Sequence, residues 1–269
     1  MREAPMNRIL RVSQFGRICG LLAFSGLLAL ASARLTWPRS SGANQTTDKG
    51  DVSSADVALL DGFRHVEAAS VSDAVEQITG KKTYMTHRMR PVFPAKFAGL
   101  ALTVLLKKEA NHDADALKGM LAAIDHGGPS SVYVMVVEDG NDIAGIGGLM
   151  GTAMAARNFS GAVIDGGVRD VSYLQKISFP VFALGIVPST SVSHYRFAGS
   201  NIPVVCDGVS VSPGDFIVAD TDGVVVVPRA EAAQVLAAAK ELDYKEHSMY
   251  GTIEKLKSIE EAVAKFGRL

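Results

Sequence analysis

In the 269-residue chain, the segment from Gly145 to Asp170 concentrates the residue types best suited to chemistry. It opens Gly145-Ile146-Gly147-Gly148-Leu149-Met150-Gly151 and closes Val163-Ile164-Asp165-Gly166-Gly167-Val168-Arg169-Asp170. Glycines between a strand and a helix let backbone N–H groups approach an anion, and a helix N-terminus adds partial positive charge there. The first half is therefore a candidate cradle for a carboxylate or phosphate. The second half sets a permanently charged guanidinium beside a carboxylate after a strand end, with Asp165-Gly166 read as a tight turn. Arg169 can clamp a carboxylate through two parallel N–H bonds. Asp170 can offer one hard oxygen to Mg2+ or Mn2+, ions that keep water and take further ligands from a substrate. Together the two halves suit a small 2-oxo acid.

Other reactive residue types carry weaker patterns. His65, His87, His112, His126, His194 and His247 show no HxH or HExxH spacing, so they are expected on surfaces and loops, and a zinc site is not expected. Cys206 lies in an apolar run with no basic neighbour and reads as a buried, inert thiol. Asp220 and Asp222 flank a hairpin turn without the rest of a calcium loop.

The elements that must position these residues alternate between strand and helix. Val57, Leu60 and Phe63 predict a helix from Ser54; a second has Ser72 as its cap and Gly80 as its stop. Strands are expected at Leu100 to Leu106, Val132 to Val137, Ala162 to Ile164 and Val181 to Leu184. Between them, helices are expected at Ala114 to His126, Leu149 to Arg157 and Asp170 to Ile177, with a Gly-rich loop at Gly145 to Gly148. Turn signals at Asp207-Gly208, Pro213-Gly214 and Asp222-Gly223 then divide β-branched runs into antiparallel strands. Helices from Ala230 to Glu246 and from Thr252 to Phe266 end the chain. This is a compact α/β domain with a mixed sheet, closed by C-terminal helices able to pack on a neighbouring subunit.

Composition sets the outer limits. With 48% hydrophobic residues the chain can bury a real core, and 27 basic against 28 acidic side chains argue against a binder that relies on nucleic-acid phosphates. Arg2, Arg8, Arg11 and Arg17 precede an apolar stretch ending in Ala31-Ser32-Ala33, which reads as a secretory signal peptide over residues 1–33 and predicts export. An uncleaved membrane anchor and an organelle transit peptide are the alternatives. Residues 34–52 are polar and read as a flexible linker, leaving 53–269 as the folded domain.

Over about residues 65 to 240 the chain resembles the RraA-like family, which includes 4-hydroxy-4-methyl-2-oxoglutarate aldolases and protein regulators of ribonuclease E. The resemblance is carried by Val71-Ser72-Asp73-Ala74, Arg90-Pro91, the Gly161 to Asp170 signature, Phe179-Pro180-Val181-Phe182, and the stretch from Pro213-Gly214-Asp215 to Pro228. It implies an RraA-like α/β sandwich, a homotrimer or dimer of trimers with sites between subunits, and a metal-dependent lyase making pyruvate. By the same resemblance Arg169 contacts substrate, Asp170 holds the divalent metal (Mg2+ or Mn2+), and Gly147, Gly148, Leu149 and Met150 hold the pyruvyl carboxylate. Gly148 departs from the pattern, because the aldolases usually carry Glu or Asp there to order a metal-bound water; Asn158 replaces a usual glycine. Oxaloacetate decarboxylation, which needs no base for a distal hydroxyl, is the safer of the two expected activities. A non-catalytic regulator and a related lyase, dehydratase or isomerase on sugar acids remain the competing readings.

Overall fold

The computed structural model describes residues 53–267; the expected signal peptide and linker lie outside them. Two helices, α1 (Ser54–Arg64) and α2 (Ala68–Thr79), lead through the short β1 (Arg90–Pro91) into the long β2 (Phe97–Lys108). The α/β alternation follows: α3 (Lys118–His126), β3 (Ser131–Val137), β4 (Ala144–Ile146), α4 (Gly148–Ala156), β5 (Gly161–Val168), α5 (Val171–Lys176) and β6 (Val181–Ile186). Then come β7 (Tyr195–Ser200), β8 (Val204–Cys206), β9 (Val209–Val211), β10 (Phe216–Asp220), β11 (Gly223–Val227), α6 (Ala232–Leu256) and α7 (Ile259–Phe266).

Strands β2, β3, β5 and β6 run parallel, as connections through helices require. The sheet order among the described residues is β1-β6-β5-β3-β2-β10-β11, with β4 paired to β5 and β7 to β2. One edge of β2 serves two partners: Phe97 to Leu100 pair with β10, and Val104 to Lys108 with β7. The far ends are drawn together by residues 83–91, which bond to β11 at Tyr84 and Met85 and to β6 at Arg90 and Pro91. The mixed sheet is thereby nearly closed.

Strand alternation sorts the core into an inside and two outer faces. Val132, Val134, Val163, Ile217, Ala219, Val224 and Val226 point inward, where the β8–β9 hairpin fills the interior with Val204, Cys206, Val209 and Val211. Tyr133, Met135, Ala162 and Ile164 point outward beneath α3, α4 and α5. Phe216, Val218, Val225 and Val227 meet α1, α2 and α6. Cys206, in the interior hairpin, is fully buried, and burial pushes its thiol up, as expected of an inert group.

Three local expectations are corrected. Ser72 does not cap α2, which begins a turn earlier: Asp220 Oδ2 accepts the Ala68 N–H at 2.8 Å, so a carboxylate distant in sequence displaces the local cap signal. Gly80 does end that helix, at φ 68°. The two C-terminal helices divide at Lys257 rather than near Glu246, because α6 continues through Gly251 with Met249 buried. Asp165-Gly166 is not a turn: β5 runs on to Val168, with a register shift against β6 between Ile164 and Gly167.

Alternation instead turns Asp165 inward, where its Oδ2 accepts the Asp207 N–H at 2.7 Å and ties the hairpin to β5. Burial, with the Asp207 charge adding to it, raises its carboxyl above 3.8, against the Asp207 N–H and Arg88. The folded chain therefore holds this proton more readily than the unfolded chain does. Stability from the group falls as pH climbs from 3.8 through the raised value. Asp165→Asn keeps an acceptor for the Asp207 N–H and removes the charge. At neutral pH it is expected to stabilise the chain by up to about 1 kcal/mol, a gain that shrinks on acidification. Paired urea titrations at pH 7 and pH 4 check this, and a clear loss at pH 7 contradicts it.

Candidate active site

Register explains why residues 22 positions apart in the chain meet. Strand β4 lies parallel to β5 with Ile146 opposite Val168, and the Arg169 N–H bonds to the Ile146 carbonyl at 3.2 Å. The next residues on each side, Gly147 and Arg169-Asp170, consequently leave the sheet together. They do so at the carboxyl ends of parallel strands, where open α/β sheets present their ligand sites. The expected Gly-rich loop is tighter than its composition implies: Gly145 is within β4, Gly147 is the extended N-cap residue, and Gly148 is already the first residue of α4.

Asp170 is left-handed at φ 59°, ψ 33°, a conformation an Asp adopts at modest cost. That backbone kink turns its carboxylate back over the start of α4, where Oδ2 accepts the Gly148 N–H at 2.8 Å. The Arg169 Nε lies 3.8 Å from the same oxygen, while its Nη1 donates to the Ser189 carbonyl at 3.2 Å. Both side chains remain about half exposed. The Leu149 and Met150 N–H groups belong to the first helical turn and have no intrahelical acceptor. They are available to an anion beside the guanidinium.

All six residues expected to form the site, Gly147, Gly148, Leu149, Met150, Arg169 and Asp170, line one cavity of about 570 Å³. Its other walls were not foreseen. They come from the stretch around His112 and Asp113 ahead of α3, from Lys118 at its start, and from Thr190 to Ser193 after β6. Ser189 joins the two sides: its hydroxyl accepts the Ala144 N–H at 3.0 Å and donates to the Asp142 carbonyl at 2.8 Å, while its own carbonyl takes Arg169. The available signal was positional, since residues 189–193 follow the end of a parallel strand.

Donor chemistry tests the site for a cation. Among the described residues no group of three or more His, Cys, Asp or Glu side chains could cage a metal. Asp170 supplies one carboxylate, with Oδ2 engaged by Gly148 and Oδ1 making no hydrogen bond to the described residues. That set fits Mg2+ or Mn2+ held largely by water and substrate, and does not fit a resident structural ion.

A family profile described as RraA-like, Aldolase/RraA, matches residues 68–226, more than half of the chain. The chain belongs to the RraA-like family. A relative from Halalkalibacterium halodurans, provisionally named a 4-hydroxy-4-methyl-2-oxoglutarate aldolase, is 29% identical over 191 residues, covering 70% of this chain and 85% of that one. Among solved RraA-like folds, an uncharacterized protein from Pseudomonas syringae pv. tomato is 27% identical, with TM-score 0.72 over 80% of this chain and 97% of that one. Streptomyces coelicolor RraAS2, described as an unusual member of the RNase ES inhibitor RraA protein family, shares the fold at 22% identity, with TM-score 0.65 over 75% of this chain and 98% of that one. The relatives' names are thus those of provisional aldolases, and the RraAS2 likeness is one of fold.

Proposed function

We propose that this protein is a carbon–carbon lyase that cleaves 4-hydroxy-2-oxo acids of the 4-hydroxy-4-methyl-2-oxoglutarate type to pyruvate and also decarboxylates oxaloacetate, with Mg2+ or Mn2+ bound at Asp170. One observation carries the reading: the start of α4, the Arg169 guanidinium and the Asp170 carboxylate converge on one cavity. The names of similar aldolases support it.

The substrate carboxylate would sit on the Leu149 and Met150 N–H groups, at the positive end of the α4 dipole. Arg169 would face the 2-oxo oxygen, where negative charge collects as the bond to C4 or to the leaving carboxylate breaks. A fixed guanidinium stabilises that charge without reorganising at the moment of reaction. When bound, the cation supplies Lewis-acid polarisation of the same 2-oxo group. Asp170 orients the first turn of α4 through Gly148 with one oxygen and leaves the other for the ion. Exposed Leu149, Ile186 and Val192 border this region, and a neighbouring subunit in a homotrimer or dimer of trimers would cover them.

Pyruvate release from 4-hydroxy-4-methyl-2-oxoglutarate and from oxaloacetate, measured with added Mg2+ or Mn2+ and again with chelator, tests the reading. Turnover of at least one substrate that chelator abolishes is expected. Absent or chelator-insensitive turnover by folded protein removes the proposal and favours the non-catalytic regulator instead.

A further inference from the structure

The proposed cleavage needs a group to take the proton of the C4 hydroxyl, and Gly148, at the start of α4 beside Asp170, has no side chain to do so. Of the six histidines, His65, His126 and His247 bond through Nδ1 to carbonyls four residues earlier, at 2.7, 2.7 and 2.8 Å, and so serve their own helices. His112 differs. It is exposed and lines the cavity that Arg169 and Asp170 also line, and its ring makes no hydrogen bond to the described residues.

The short segment that carries it is fixed on both sides. The Asn111 N–H donates to the Ser193 carbonyl at 3.0 Å, and its side-chain amide donates to the Glu109 and Tyr195 carbonyls at 2.8 and 3.1 Å. On the other side Arg196 clamps Asp113 at 2.7 Å and Glu109 at 2.8 Å, and the Asp113 Oδ1 accepts the Asp115 N–H at 2.9 Å. A loop this heavily tied holds its middle residue in place at the edge of the cavity. That combination suits a group that must meet a substrate proton.

We infer that His112 is the proton acceptor for cleavage of the 4-hydroxy-2-oxo acid, an assignment that rests on the function proposed above. In the step, neutral imidazole takes the hydroxyl proton, the O–H electron pair forms the new C4 carbonyl, and the C3–C4 bond breaks. Its electron pair becomes the C2–C3 double bond while the 2-oxo π pair moves onto oxygen, giving an enolate facing Arg169. The imidazolium gives its proton to solvent, and C3 takes one from solvent to complete pyruvate. Decarboxylation of oxaloacetate shares the enolate and its protonation but has no hydroxyl proton to remove. The two reactions therefore depend on His112 unequally.

The full chain carrying His112→Ala, assayed with Mg2+ on both substrates, tests this. Cleavage kcat is expected to fall by about 10²- to 10⁴-fold, the range for loss of a general base, and decarboxylation far less. Free imidazole is expected to restore part of the lost cleavage, which a purely structural role would not permit. Unchanged cleavage, an equal loss of both activities, or a rise in KM at constant kcat each overturns the assignment; the last makes His112 a binder of the distal substrate end. If the wild-type chain decarboxylates oxaloacetate but cleaves no hydroxy acid, the His112 assignment fails while the enolate site stands. If it does neither, the function proposed above fails and His112 with it.

Discussion

Arg169→Ala is expected to lower turnover of both substrates by about 10²- to 10³-fold, the cost of removing one fixed donor from a developing oxyanion, while leaving the melting temperature essentially unchanged. The two halves of this expectation have separate grounds. Arg169 is 44% exposed and its side chain makes one hydrogen bond among the described residues, to Ser189, so truncation opens no cavity and strands no buried charge. No other cation is placed to take over its role: among the described residues that line the cavity the other Lys or Arg is Lys118, which lies 3.8 Å from Asp115. Arg169→Lys should recover only part of the loss, since an ammonium cannot reproduce the planar fork. Steady-state rates with thermal melts decide the matter. A wild-type rate in the Ala variant would place the chemistry elsewhere, and a collapsed melting curve would make Arg169 structural.

Much of this site was legible because its signals are short and chemical. Glycine before a helix and Arg-Asp after a strand declare themselves within 26 residues, and parallel pairing of β4 with β5 converts that proximity in sequence into contact. The strands were legible as apolar runs, but their faces were not, because β3, β10 and β11 are apolar and buried on both sides. What escaped depended on distant partners. The start of α2 is set by Asp220 across the hairpin, and Asp165 is drawn inward by the β8–β9 plug, so neither local cap nor turn rules could find them. The His112 wall escaped for a similar reason. Its neighbours Asn111 and Asp113 are held by Ser193, Tyr195 and Arg196, more than 80 residues later, and nothing in the spacing of the histidines reports that.

The two loop glycines should respond to substitution in opposite ways, although they are adjacent. A Cβ on Gly147 would lie 2.6 Å from Asp170 Oδ2 and 3.0 Å from Arg169 Cγ, so one of the two side chains must move. Its backbone is extended at φ −154°, which any residue adopts, and the displaced atoms are half-exposed side-chain ends. Gly147→Ala is therefore expected to cost stability little, within about 1 kcal/mol. Catalysis is another matter, because a shift of about 1 Å in a positioned group can cost about 100-fold in rate. A Cβ on Gly148 would instead meet the ring of Tyr173 at 3.1 Å, with Asp170 Oδ2 at 3.5 Å, and that ring is 43% exposed and able to give way. Gly148→Asp adds a carboxylate at the first position of α4, where the helix dipole favours it, and sets it beside Asp170. Calorimetry should show Mn2+ bound about tenfold more tightly by this variant than by the wild type, and cleavage should rise relative to decarboxylation. Failure of Gly147→Ala to slow turnover, or of Gly148→Asp to tighten Mn2+, would separate the loop from the Arg169-Asp170 pair. The convergence that the register of β4 and β5 creates would then be a matter of packing alone.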